Sequence, residues 1–108
     1  MQQHIHMLRC ICKILEGNVR EAHKYAVKAH EMRHAQHKQT ADWCVDMARG
    51  HLGFNSQGHS MVEKLMHELQ SAEPMHVSHE VVALFAEFVA DIKRDAAEVQ
   101  AMLDAYNK

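Results

Sequence analysis

Histidine is the residue type through which this chain could do chemistry. It occurs 11 times in 108 residues, against 12 for Lys and Arg together. An imidazole titrates near neutral pH and is the commonest side-chain ligand for transition metals. His30-Glu31-Met32-Arg33-His34 matches H-E-x-x-H. On a helix that spacing sets two imidazoles on one side, able to hold zinc with Glu31 as the base. A protease of this kind also needs a third ligand, a cleft and a strand edge for its peptide, which a short helical chain does not offer. The embedded Glu31-x-x-His34 has the spacing used by di-iron bundles. Glu73-x-x-His76 repeats it, but Pro74 removes the helix that would give it meaning.

Other histidines fall into groups. Glu16, His23, His30 and His37 recur every seventh residue. Neighbours in that series stand about 10 Å apart along a helix, so they could line an interface, load a metal, or form a solvated flank. His59, Glu63 and His67 are four residues apart and share one helical face. His4, His6, His76 and His79 gather near one end of the expected fold, where a surface site for zinc, nickel or copper could form.

Nucleophilic catalysis has little to build on. Cys10, Cys12 and Cys44 are too few for a disulfide scaffold and read as reduced, mostly buried thiols. There is no Gly-rich phosphate loop, nucleophile elbow or oriented Cys–His pair. The net charge of −2 supplies no basic field for nucleic acid. No apolar run is long enough for a membrane span, and His4, His6, Arg9 and Lys13 interrupt any signal-peptide pattern. The expectation is a cytoplasmic, non-catalytic protein with no nucleic-acid or membrane partner.

The elements that must hold these residues are helices. One Pro and four Gly argue against a turn-rich β chain, and the length fits one domain over residues 1–108. Ile5, Leu8, Cys12, Leu15, Val19, Ala22, Ala26 and Ala29 advance in alternating steps of three and four. That heptad seam predicts a helix over 3–37. Thr40 is the expected N-cap of a second helix over 40–72, with Asp42 in its first turn. The stretch Gly53–Gly58 resembles a loop in composition, yet the heptad phase is the same on both sides. One continuous helix is therefore expected; a loop at 53–58 would make a four-helix bundle instead. Pro74 ends this helix, and Ser78 caps a third over 78–106. Its seam reads Val81, Phe85, Phe88, Ile92, Asp95, Val99, Met102 and Tyr106.

Short connections make this an all-α, up-down-up bundle of three helices, each about 45 Å long. So slender a bundle has a limited core, which predicts a homodimer or higher homo-oligomer. Met7, Met32, Met47 and Met61 lie beside the seams and could fill such an interface or pad the core.

A polar layer interrupts the seams near mid-bundle. With the second turn centred near Met75, Asn55 faces Asp95 and His59 faces Asp91; with the first centred on Lys38 and Gln39, the same level of helix 1 holds Asn18, Val19 and Ala22. Glu16 and His23 flank that level, with His51 one layer away. Glu16, His23, His51, His59, Asp91 and Asp95 are thus candidate ligands for a divalent transition metal, Fe, Mn or Zn. The alternative is a hydrogen-bonded Asp–Asn–His layer that fixes the register.

Leu15-Glu16, Tyr25-Ala26, Ala41-Asp42, Ala48, His51-Leu52, His59 and the tail Ala97-Glu98-Val99…Met102-Leu103…Tyr106-Asn107-Lys108 resemble small bacterial ferritin-like helical proteins. The likeness covers most of the chain through scattered positions. It implies a helical bundle with a metal-binding remnant. Ferroxidase chemistry wants two Glu-x-x-His motifs on separate helices, and only Glu31-x-x-His34 is credible here. Three functions follow: an oligomerising bundle with a mid-bundle metal, a ferritin-like redox or storage protein, and an interaction module without metal.

Overall fold

A computed structural model describes residues 2–71 and 79–106. They form α1 (Gln2–His34), α2 (Lys38–Ser71) and α3 (His79–Tyr106), with no strand among the described residues. The break at Pro74, the cap at Ser78 and the whole of His76 lie outside the described residues, as do the side chains of His4 and His79. The three helices pack as an all-α bundle measuring 60 × 18 × 15 Å. Leu15 of α1 meets Asn55 of α2, and Arg33 meets Tyr106 of α3. So α2 runs antiparallel to α1, and α3 runs parallel to it.

The α1 seam is buried as expected from Leu8 to Ala29. Toward the α1–α2 turn it consists of Ala22, Ala26 and Ala29, facing Ala41, Cys44 and Ala48. Small side chains let these backbones approach closely. Larger residues, Leu8, Leu15, Val62, Leu65 and Leu69, fill the seam toward the other end.

The turn differs from the expected one. α1 ends at His34, three residues early, because Gln36 adopts a left-handed φ of 68°. Gln36 N–H then donates to Arg33 O at 3.0 Å and His37 N–H to Met32 O at 2.8 Å. These bonds satisfy the last carbonyls of the helix. His37 O accepts from Ala41 N–H, so α2 starts at Lys38 and Thr40 lies inside its first turn rather than capping it. Centring the turn on Gln36 slides α2 along α1, and Asn55 meets Leu15 rather than the level of Ala22.

α2 is continuous through 53–58. Gly58 has a packing reason to be there: a Cβ at this position would lie 2.3 Å from Leu15 Cδ2. Asn55 is buried and donates to Leu15 O at 3.0 Å.

The α3 seam is corrected. Phe85, Ile92, Val99 and Tyr106 of the expected seam are buried or half-buried, and Phe88 and Met102 are half-buried at its side; the packed line itself runs Phe85, Val89, Ile92, Ala96, Val99, Leu103 and Tyr106. They also step by four and three, and every one is apolar. Burying Ala96 avoids the cost of desolvating the Asp95 carboxylate, so Asp95 rotates out of the seam and is exposed.

Candidate functional site

The predicted ligands do not form one layer. Asp91 and Asp95 lie on the exposed flank of α3, 3.2 and 3.8 Å from the Arg94 guanidinium. Glu16 pairs with Arg20 at 3.0 Å. His51 Nδ1 donates to Asn18 Oδ1 at 3.0 Å, and its ring stacks on Tyr25 with centroids 5.8 Å apart. His59 is 8% exposed and faces the charge of Lys93, not of Asp91 or Asp95. The structure does bring Glu16, His23 and Asp95 to a single cleft of about 370 Å³ between α1 and α3, with Glu98 beside them. Among the described residues, no three His, Cys, Asp or Glu side chains stand close enough to hold a metal ion.

The H-E-x-x-H pair is also split. His30 Nε2 donates to Met102 O at 3.1 Å and meets the Tyr106 ring edge-on, whereas His34 is exposed in the last turn of α1.

His59 and Asn55 are the polar residues inside the core. Neither ring nitrogen of His59 has a hydrogen-bond partner among the described residues, and the same holds for Asn55 Oδ1. Burial pushes the His59 pKa below 6.5; the charge of Lys93 adds to this and that of Glu63 opposes it. Lys93 donates to Glu63 at 2.7 Å and holds that carboxyl below its usual range. His59 is therefore a neutral imidazole at pH 7. Burial raises the Cys12 thiol pKa, which leaves it protonated and a poor nucleophile.

Two surface features lie outside the predicted ligands, and the sequence marked the second only through Met7 and Met61 as interface candidates. The first is a groove of about 770 Å³ between the N-terminal halves of α1 and α3. Its floor includes Ile5, Leu84, Phe85 and Phe88, and its rim carries His6, Arg9 and Lys13. The second lies on the side of the α1–α2 seam away from α3. Met7 and Ile14 are one heptad apart on α1, as are Phe54 and Met61 on α2; they are 49%, 55%, 58% and 49% exposed. Contacts of Glu63 with Lys93 and of Asp42 with Tyr106 mark the opposite flank of α2 as the one that meets α3. The spacing of Met7 and Met61 beside the seams was the available signal for this stripe.

Comparison with protein-family models, curated proteins and solved structures gave no match to this chain. The ferritin-like resemblance rests on its scattered positions alone. None of the described helices is long and apolar enough to cross a membrane.

Proposed function

We propose that the chain is a non-catalytic helical-bundle protein that works as a homodimer, joined through the face of the α1–α2 hairpin that α3 leaves uncovered. The observation that carries this is the exposed stripe of Met7, Ile14, Phe54 and Met61. Four large apolar side chains in one stripe cost free energy in water, about 25 cal/mol per Å². A second copy fits because the stripe is self-complementary. Along the bundle axis the order is Met7, Met61, Ile14, Phe54, so α1 and α2 contribute alternately. A twofold axis parallel to the helices sets each α1 on the partner's α2, antiparallel, and repeats the register already used within the chain. Gly17, Gly50 and Gly53 have nothing within 4 Å of a Cβ position, so no packing contact among the described residues explains them.

Light scattering across a concentration series tests this. The wild type is expected at twice the chain mass, and Ile14→Glu with Phe54→Glu at the chain mass with unchanged helicity. A monomeric wild type at the highest soluble concentration would overturn it.

Transition-metal binding is a second reading. Its support is that Glu16, His23 and Asp95 line one cleft; they stand too far apart there to share an ion, so binding would require these side chains to swing together. Elemental analysis of protein purified without an affinity tag decides it. Stoichiometric metal, lost in His23→Ala, supports the reading, and metal-free protein ends it.

A further inference from the structure

The groove between α1 and α3 differs from the dimer stripe in charge. The stripe has no charged residue among its four members. The groove has an apolar floor of Ile5, Leu84, Phe85 and Phe88; its rim is basic, with His6, Arg9 and Lys13, and the Cys12 thiol, kept protonated by burial, adds no negative charge. No carboxylate partner for Arg9 or Lys13 is found among the described residues. Phe85 and Phe88 are only half-buried, and Leu84 is 65% exposed.

We propose that this groove docks an amphipathic helix of another protein, one that carries acidic residues beside its apolar stripe. Helix-in-groove recognition needs an apolar trough about two to three turns long, with polar groups along its edge. Residues 5–13 of α1 supply about 12 Å of such an edge. Arg9 and Lys13 are four apart and stand one above the other on α1. They match carboxylates at the same spacing on an incoming helix, while its leucine-type residues cover Phe85 and Phe88. The trough has a built-in end. One heptad further on, the α1–α3 seam becomes the cleft of Glu16, Asp95 and Glu98, in which Arg20 and His23 also stand and Glu16 is paired with Arg20. With Glu16 and Asp95 already paired to Arg20 and Arg94 and Glu98 beside them, this stretch offers an acidic helix no free basic rim, so the match ends in the N-terminal half of the bundle. Charge on the rim selects the partner and speeds encounter, while the apolar floor supplies the lifetime.

The test uses the full chain and two fluorescein-labelled helical peptides. Both carry Leu at helical spacing; one has Glu at the flanking positions and the other Lys. Anisotropy titrations are expected to show saturable binding of the Glu peptide, weakening as salt is raised, and no comparable binding of the Lys peptide. Arg9→Glu with Lys13→Glu is expected to weaken the Glu peptide at least tenfold and to bind the Lys peptide instead. Both substitutions are exposed, and circular dichroism checks that the helices persist. Ile14→Glu with Phe54→Glu, which addresses the dimer stripe, is expected to leave peptide affinity unchanged, so this proposal and the dimer reading fail separately. Equal binding of both peptides, no binding of either, or retained Glu-peptide affinity in the charge-reversed variant would overturn it. So would a change in oligomeric state caused by Arg9→Glu with Lys13→Glu, because the occupant would then be a second copy.

Discussion

The two ends of this bundle are built from the same three helices and end up differently closed. At the turn end, Tyr106 is held from both sides. Its hydroxyl donates to Asp42 of α2 at 3.2 Å, Arg33 of α1 lies 5.0 Å above its ring and also donates to its carbonyl, and His30 packs edge-on. Alanines in α1 and α2 bring the backbones close enough for one residue of α3 to reach both partners. At the open end the seam residues are leucines, and α3 presents Phe85 and Phe88 half-buried beside a groove. Residue size along a common heptad pattern thus sets where the bundle is clamped and where a surface is left for a partner.

The largest effect is expected from breaking the clamp. Tyr106→Ala should cost about 3 kcal/mol in urea unfolding. Phe88→Ala at the open end should cost about half as much, because its ring is only partly removed from water. Equal losses would erase the contrast between the ends. Next comes the close approach at mid-bundle. Gly58→Val should lose about 1–3 kcal/mol by overpacking Leu15. Gly50→Ala and Gly53→Ala should each gain up to about 1 kcal/mol in a monomeric background, from helix propensity alone.

His59→Leu should raise stability by about 1–2 kcal/mol, because an unpartnered polar ring is replaced by an apolar group of similar size. It should also flatten the pH dependence. The folded pKa of His59 is depressed, so the unfolded chain takes up a proton near pH 6.5 that the folded chain does not. Wild-type stability should therefore fall as pH drops below about 6.5, until the folded imidazole itself titrates. Urea midpoints between pH 5 and 8 check this. A slope unchanged in His59→Leu would place the effect in other histidines. A change of similar small size is Gln36→Gly, expected to add about 1 kcal/mol by relieving the left-handed φ at the turn.

The sequence made the helices legible because burial in a bundle imposes a heptad period, and α1 displays it without interruption. It also made α2 legible through Gly53–Gly58, since a loop has no reason to keep the phase. It misled in part at α3, where the expected and observed seams share Phe85, Ile92, Val99 and Tyr106 and differ by one residue at 88/89, 95/96 and 102/103. The seam through Asp95 and the seam through Ala96 have the same step pattern; only the cost of burying a carboxylate separates them. The metal layer depended on that seam and on the turn. Gln36 entering the left-handed region is not signalled by residue type, as Gly or Asn there would be. That local event moved His59 away from Asn18 and so dispersed the predicted ligands. The groove was hidden for another reason: no sequence period reports where α1 and α3 leave a gap between them.

Hydrogen exchange of the full chain, with and without the Leu/Glu peptide, tests the two-ended picture most directly. Free protein should protect the amides of 99–106 more strongly than those of 81–92. Saturating peptide should add protection at 5–13 and 81–92 and leave the turn end unchanged. Uniform protection along α3 in the free protein, or peptide-induced protection centred on the Tyr106 clamp, would contradict it.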